Sequence, residues 1–260
     1  MKIPIFQVDA FTDHLFGGNP AAVCPLGQWL PDDLMQNIAI ENNLAETAFF
    51  IRENDYFHIR WFTPAVEVDL CGHATLASSH VLFEHLGFSG PVIHFMSKSG
   101  KLTVKKEGDL LTLDFPADNV EVVESPEELH AALGIIPPET YRGKTDWMVV
   151  LKTQKEVESI RPDFGLMTEL TGRGVIVTAP GEEVDFVSRF FAPQSGIPED
   201  PVTGSAHTTL APFWGKRLGK SELTAIQLSS RRGHLHCRVK GNRVEISGKA
   251  QTYLIGELTL

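Results

Sequence analysis

Short stretches in which apolar and polar residues alternate recur along the chain, and such alternation is typical of half-buried β-strands. Four of them form two neighbouring pairs, Leu102–Lys105 with Leu110–Phe115 and Leu235–Val239 with Arg243–Ile246. The turns Gly108-Asp109 and Gly241-Asn242 separate the members of each pair. Turns of this composition favour antiparallel hairpins. We therefore predict an α+β fold and not a doubly wound parallel sheet.

The same order of features occurs twice along the chain. Residues 60–64 and 189–193 share the pattern Arg-aromatic-Phe-x-Pro, and corresponding positions lie 129 residues apart. In each copy a glycine follows, Gly72 or Gly204, and begins an apolar helical stretch. Both copies are preceded by a strand, a helical stretch and a second strand. These are a strand ending at Cys24, Pro31–Asn43 and Ala48–Ile51 in the first copy, and Trp147–Leu151, Glu156–Leu170 and Gly174–Ala179 in the second.

Because internal repeats determine architecture, the chain should consist of two similar halves. The strand pattern gives way to an acidic, proline-flanked stretch at Pro116–Pro126. We therefore place the first half at 1–115 and the second at 116–260, related by a pseudo-two-fold axis. The apolar helices are predicted at about 73–82 and 205–213, and we expect the chemistry in the cleft between the halves.

Composition excludes several classes of protein. The 33 acidic residues outnumber the 23 basic ones, for a net charge of -10, which disfavours binding to nucleic acid. Three cysteines without a CxxC spacing predict neither a disulfide framework nor a thiolate zinc site. No signal peptide or apolar run long enough to span a membrane is visible. We expect a cytoplasmic protein that uses no metal and no cofactor.

Each apolar helix begins with a glycine and a polar residue, Gly72-His73 or Gly204-Ser205. Backbone N–H groups at a helix start have no partner within the helix, and the helix dipole is positive there. Glycine leaves the backbone open to close approach. The two helix starts are therefore predicted to bind one substrate carboxylate from both sides.

Titratable side chains cluster around these helix starts. Cys71 and His73 flank Gly72, and Asp200 lies four residues before Gly204. Glu46 stands where a polar segment enters an apolar strand, which predicts a half-buried carboxylate suited to acid–base work.

Six strings together resemble the phenazine biosynthesis-like (PhzF-like) family, whose fold is that of diaminopimelate epimerase and proline racemase. They are Val8-Asp9-Ala10-Phe11, Phe16-Gly17-Gly18-Asn19-Pro20-Ala21-Ala22-Val23, Asn43-Leu44-Ala45-Glu46-Thr47-Ala48-Phe49, Trp61-Phe62-Thr63-Pro64, Leu70-Cys71-Gly72-His73-Ala74-Thr75 and Glu199-Asp200-Pro201-Val202-Thr203-Gly204-Ser205-Ala206-His207. The resemblance covers nearly the whole chain. It implies two domains, each a curled antiparallel sheet around a central helix, and often a homodimer.

The resemblance also implies roles for individual residues. Glu46 would be the principal acid–base group, and His73 and Asp200 would assist it or position the substrate. The backbone at Gly72, Gly204 and Ser205 would bind the substrate carboxylate, and Asn19 and Thr203 are further substrate-binding candidates. The family's characterised member moves a proton within a hydroxylated cyclohexadiene carboxylate, so we expect a biosynthetic isomerase that acts on a small carboxylate.

One feature departs from the epimerases that share the fold. Those enzymes use one cysteine per half, whereas here Cys71 has no cysteine counterpart near Asp200 and Thr203. Cys71 is then either a small buried residue or part of an asymmetric pair with an acid. Two alternatives stay open, an amino-acid epimerase or racemase and a non-catalytic binding protein that retains the fold.

Overall fold

The computed structural model describes all 260 residues. The chain forms two compact units, one containing Met1–Asp114 with Ser247–Leu260, the other Phe115–Ile246. The first boundary lies beside the position predicted from the sequence. The sequence analysis placed the whole of 116–260 in the second half, but Ser247–Leu260, which contains the last strand, belongs to the first unit.

The first unit contains nine strands and two helices, and the last of these strands comes from the end of the chain. They are β1 (Lys2–Ala10), β2 (Asn19–Leu26), α1 (Asp32–Asn42), β3 (Glu46–Glu53), β4 (Tyr56–Phe62), β5 (Glu67–Val68), α2 (Gly72–Glu84), β6 (Val92–Ser97), β7 (Gly100–Glu107), β8 (Leu110–Pro116) and the last strand, β18 (Ala250–Thr259).

The second unit has the remaining strands and four helices. They are β9 (Glu121–Val122), α3 (Glu127–Leu133), β10 (Glu139–Arg142), β11 (Asp146–Val150), α4 (Gln154–Ser159), α5 (Phe164–Met167), β12 (Gly174–Pro180), β13 (Phe186–Ala192), β14 (Ile197–Asp200), α6 (Gly204–Leu218), β15 (Glu222–Gln227), β16 (Gly233–Lys240) and β17 (Arg243–Gly248), whose last two residues belong to the first unit.

Strand pairing repeats between the units and confirms the repeat seen in the sequence. In the first unit β1–β2, β3–β4, β4–β5 and β6–β7 are antiparallel, whereas β2–β3 and β4–β6 are parallel. The second unit repeats this with β10–β11, β12–β13, β13–β14 and β15–β16 antiparallel, and β11–β12 and β13–β15 parallel. In each unit the strand pairing is therefore mostly antiparallel with two parallel pairs.

One helix in each unit is largely buried and packs against the sheet. Helix α2 contacts β1, β2 and β3, and α6 contacts β15 and β16. Small side chains allow this: in α2 the hydroxyls of Ser78 and Ser79 are buried and donate to the carbonyl oxygens of Ala74 and Thr75. Because both hydroxyls bond within the helix, enclosing α2 leaves neither of them unpaired.

One predicted element is divided. The helical stretch expected at 156–170 forms two short helices, α4 and α5, with Pro162 between them. Proline disfavours the helical conformation of the residue before it, and it lacks the backbone N–H group that a continuous helix would need. No helix in the chain combines the length and apolar composition required to span a bilayer.

Candidate active site

The first unit brings four of the predicted site residues together. Glu46 is the first residue of β3, and His73 is the second residue of α2. Oε2 of Glu46 lies 3.0 Å from Nε2 of His73, and both side chains are buried. The parallel register of β2 and β3 places Ala21 beside Glu46, so Asn19 at the start of β2 is nearby.

The other ring nitrogen of His73 also has neighbours. Its Nδ1 is 3.2 Å from Nδ2 of Asn19 and 3.6 Å from Sγ of Cys71. Asn19 was predicted to bind substrate, but the structure shows its amide hydrogen bonded to the imidazole. A bond to one nitrogen fixes the ring so that the other nitrogen faces Glu46.

The ionisation of this cluster follows from burial and charge together. Burial opposes the charged imidazolium, but the Cys71 sulfur and the Glu46 carboxylate raise the pKa of His73 well above its usual value. Burial, reinforced by the negative charge of Glu46, raises the pKa of the Cys71 thiol to about 11. At neutral pH the thiol of Cys71 is therefore neutral, and the carboxylate of Glu46 favours the protonated form of His73.

Two buried atoms in the cluster retain hydrogen-bonding capacity. Oε2 of Glu46 and Nε2 of His73 are close enough for an ion pair, but their alignment does not make a hydrogen bond. Unpaired buried polar atoms are costly and uncommon. They mark a place where a ligand could supply the partner.

The same cluster has a composition that a metal ion could accept. Ligand atoms of Glu46, Cys71 and His73 lie within 4.8 Å of one another. Zinc accepts sulfur, nitrogen and oxygen ligands, but it binds the thiolate form of cysteine. The raised pKa of the Cys71 thiol applies to the site without a metal ion, and a bound ion would itself deprotonate the thiol.

In the second unit, Asp200 and Thr203 lie immediately before α6. The hydroxyl of Thr203 donates to Oδ2 of Asp200 over 2.5 Å. Gln227, at the end of β15, accepts from the Thr203 N–H over 2.8 Å and donates to the Asp200 carbonyl oxygen over 2.7 Å. This buried glutamine therefore fixes the segment that leads into α6.

The predicted helix starts are both present. Gly72 is the first residue of α2 and Gly204 the first of α6, and neither helix has a side chain that caps its start. Ser205 follows Gly204, and its Oγ accepts a hydrogen bond of 2.7 Å from Nη1 of Arg173. Arg173 also donates from Nε to Oδ1 of Asp146 over 2.9 Å.

Sequence reasoning missed two residues of these sites. Gln227 is one polar residue in an alternating strand and carries no motif, so its role is visible only in the fold. Arg173 did leave a signal, a charged residue between two glycines in Gly172-Arg173-Gly174. That string precedes a strand, so it cannot be the glycine loop of a dinucleotide site, which follows a strand.

Comparison with known proteins agrees with this architecture. Residues 8–256 match the profile of the phenazine biosynthesis-like proteins. The chain belongs to the phenazine biosynthesis-like family. An uncharacterised isomerase of Pseudomonas aeruginosa is 52% identical over 260 residues, and the alignment covers 100% of both chains. A crystal structure of a member of this family from Enterococcus faecalis has a TM-score of 0.98 and 50% identity, with 100% of both chains covered.

More distant likenesses show the fold alone. A hydroxyproline epimerase from Agrobacterium vitis superposes with a TM-score of 0.62 at 11% identity, over 99% of this chain and 92% of the epimerase. The epimerase-like fold predicted from the sequence is thereby confirmed. Two close bacterial relatives in the phenazine biosynthesis-like family are named isomerases, and the chain is an isomerase of this family.

Proposed function

We propose that this isomerase moves a proton between carbon positions of a small carboxylate substrate, with Glu46 as the acid–base group. The observation that carries the proposal is the buried contact of 3.0 Å between Oε2 of Glu46 and Nε2 of His73. The contact places a carboxylate and an imidazole side by side in a buried site, where one can accept a proton while the other remains next to it.

The charge distribution suits such a transfer. When Glu46 takes the proton, its negative charge passes to the substrate carbanion, and the His73 imidazolium remains beside both groups. A fixed cation in a buried site stabilises developing negative charge more strongly than water does. Glu46 then returns the proton to a neighbouring carbon. No electron acceptor is required for this step, since the reaction only moves a proton and a double bond.

The roles that we propose for the remaining site residues rest on their sequence motifs. The start of α2 at Gly72 and the start of α6 at Gly204 and Ser205 are each carboxylate-binding candidates, since uncapped helix starts favour anions. Asp200 and Thr203 assist in positioning the substrate. Asn19 acts on the reaction through His73, because its amide bonds to the imidazole.

Hydrogen exchange into small unsaturated carboxylates in deuterated water tests the proposal. The Glu46→Gln variant keeps the shape of the side chain but cannot accept a proton, so it should fold normally and exchange no substrate hydrogen. Glu53→Gln, at the other end of the same strand and half-buried, is the matched control and should exchange like the wild-type protein. Full exchange by Glu46→Gln would refute the assignment.

Stereochemical inversion of an amino acid is the second candidate. It is favoured by the position of the Cys71 thiol beside His73, where a second base could act. A thiol with a pKa of about 11 is a weak source of thiolate, which favours the isomerase. Following optical rotation in a panel of amino acids distinguishes the two, because only inversion removes the signal.

We also propose a cytoplasmic homodimer with a biosynthetic role, an expectation that comes from the sequence. Light scattering coupled to size-exclusion chromatography measures the mass, and a monomer at micromolar concentration would contradict the dimer. Cell fractionation tests the location.

A further inference from the structure

Strand β18 forms an open edge of the strand pairing in the first unit. It pairs with β1 from Ala250 to Thr259, and the other element that it mainly contacts is helix α2. An edge strand presents unpaired backbone N–H and C=O groups along its free side. Strand β18 can therefore accept a further strand beside it.

The middle of this strand is exposed on both faces. Successive side chains of a strand point to opposite faces of the sheet, so a strand that is covered on one face alternates between buried and exposed positions. Residues 253–257 of β18 are instead exposed in succession. Three of these side chains are large and mainly apolar, those of Tyr253, Leu254 and Ile255. This part of β18 therefore lacks a cover on either face.

An aromatic side chain from a neighbouring loop extends the exposed surface. Phe16 packs edge-on against Tyr253, with the ring centres 5.8 Å apart. The backbone of Phe16 has a φ of 70°, a left-handed conformation that is costly for a bulky residue. Buried Asp9 maintains this conformation, because its Oδ2 accepts a hydrogen bond of 2.9 Å from the Phe16 N–H. The chain thus bears backbone strain that holds an aromatic ring in solvent, and such strain is typical of binding sites.

The corresponding edge of the second unit is protected. Strand β9 pairs with β10 as β18 pairs with β1, but it contains two residues, Glu121 and Val122. Short and charged edge strands discourage pairing with other chains. Strand β18 is ten residues long, and no charged residue occurs from Gln251 to Gly256. The edge in the first unit therefore lacks both forms of protection.

The distribution of charge favours a second copy of the same chain as the partner. The net charge of -10 makes two copies repel each other over most of their surface. In a two-fold symmetric pair the same patch meets itself, so like charges in that patch would oppose each other. The uncharged stretch from Gln251 to Gly256 avoids this repulsion, and the next residue, Glu257, is paired with Lys2 over 2.6 Å.

The exposed area also suits a dimer. The patch consists of Phe16, Tyr253, Leu254 and Ile255, which are 68%, 48%, 41% and 62% exposed. With about 200 Å² for a complete side chain of this kind, the four expose roughly 400 Å² together. An interface of standard size buries roughly 800 Å² on each partner. The four side chains therefore supply half of that area, and the backbone edge and the polar residues around them supply the rest.

We propose that a second copy of this chain binds to the free edge of β18, so that the two β18 strands pair antiparallel about a two-fold axis. This inference rests on the homodimer proposed above and identifies its surface. Phe16 and Tyr253 are the aromatic anchors of the interface. The pairing satisfies the free N–H and C=O groups of both edges and removes the apolar patch from water.

Light scattering coupled to size-exclusion chromatography, over a dilution series, measures the dissociation constant of the dimer. Ile255→Lys introduces a charge at an exposed position of the shared edge, and it should raise the dissociation constant at least about ten-fold. Phe16→Asn should also raise it at least about ten-fold, because the ring is lost. Asparagine adopts the left-handed conformation more readily than phenylalanine does, so this variant keeps the turn.

Val122→Lys is the matched control. It makes the same kind of substitution on β9, the exposed edge strand of the second unit, and should leave the dissociation constant unchanged. An equal effect of Val122→Lys, or undiminished association of Ile255→Lys or Phe16→Asn, would overturn the proposed surface.

Amide hydrogen–deuterium exchange tests the strand pairing in the wild-type protein. Amides of residues 251–257 should exchange more slowly at concentrations where the protein is dimeric than where it is monomeric, because paired N–H groups are protected. Amides of β9 should exchange at the same rate at both concentrations. Unchanged exchange in residues 251–257 would contradict the pairing, as would protection that requires lipid vesicles and not a second copy.

The result is separable from the proposed reaction. Glu46→Gln should have the same dissociation constant as the wild-type protein. If Glu46→Gln retained hydrogen exchange into substrate, the proposed reaction would fail and the interface would stand. If the wild-type protein were monomeric at every concentration measured, the interface would fail and the proposed reaction would stand.

Discussion

Two histidines show how neighbours determine the state of a buried side chain. His73 and His207 are both buried near a helix start. Burial lowers the pKa of His207 to about 4, and the hydrogen bond to the carbonyl oxygen of Thr203 offsets this only in part. His73 faces Glu46, and its pKa is instead raised. The pKa of the same residue type is therefore lowered in one unit and raised in the other.

His207 should make the protein sensitive to acid. In the unfolded chain its pKa is about 6.5, so between pH 6.5 and 4 the unfolded state binds more protons and stability falls as the pH falls. At pH 4, His207 should lower the free energy of unfolding by about 3 kcal/mol relative to its value at neutral pH. Urea unfolding measured from pH 4 to 7 should show this loss in the wild-type protein and a smaller slope in His207→Leu.

His236 provides the control for that measurement. Its side chain is exposed on β16, and His236→Gln should keep the pH slope of the wild-type protein. An unchanged slope in His207→Leu would show that other groups cause the acid sensitivity.

Among the connections between elements, the turn from β1 into β2 is the most restricted. Gly18 has a φ of 61°, and a Cβ there would lie 2.1 Å from the carbonyl oxygen of Ala10. Gly87 has a similar φ of 67°, but a Cβ there would meet nothing within 4 Å. Gly87→Ala should therefore lower the free energy of unfolding by about 1–2 kcal/mol, because alanine disfavours the left-handed conformation. Gly18→Ala should lower it by at least about 2 kcal/mol more, because of the added collision.

Urea unfolding of the two alanine variants measures the difference. Gly18→Ala should also reduce hydrogen exchange into substrate, because Gly18 precedes Asn19, whose amide bonds to His73. Equal stability losses in the two variants would mean that the backbone relieves the collision by moving.

The elements themselves were largely predictable from the sequence. The two hairpins and the helices α1, α2 and α6 follow from alternation, helical periodicity and turn residues, and all are present. The alternation of apolar and polar residues indicates which side chains are buried, but it does not indicate the direction of the neighbouring strand. The parallel pairs β2–β3 and β4–β6 were therefore not predicted. The clusters around Glu46 and Asp200 were predicted from motifs, whereas the contact of Arg173 with Ser205 depends on strand register.

For the molecule as a whole, the repeat was visible in the sequence but the return of the last strand was not. Strand β18 pairs with β1 along its length, 240 residues and more away in sequence. No local pattern specifies a partner at that distance. The first unit is therefore discontinuous in sequence, although its internal pairing repeats that of the second.

Repeated contacts should matter for stability in both units. The side chains of Arg60 and Arg189 are 16% and 11% exposed, and each makes the same two bonds to a glutamate. Removing Arg189 leaves the largely buried carboxylate of Glu199 without its partner, so Arg189→Met should cost about 2–4 kcal/mol of unfolding free energy. Arg60→Met should cost less, because Glu67 keeps its ion pair with Lys98. Lys2→Met removes an exposed ion pair with Glu257, in which the lysine side chain is 72% exposed, and should cost less than about 1 kcal/mol.

Urea denaturation measures the free energy of unfolding of all three variants. Hydrogen exchange into the substrate is measured at temperatures where each variant is folded. Arg60→Met and Arg189→Met should lose stability but keep exchange, whereas Glu46→Gln should lose exchange and keep stability. The ion pairs of Arg60 and Arg189 occur in both units and support the repeated fold. Glu46 has no counterpart in the second unit, where strand register places Gly174 at the corresponding position, so its loss should affect the reaction and not the fold. Loss of exchange in a fully folded Arg189→Met variant would contradict this division.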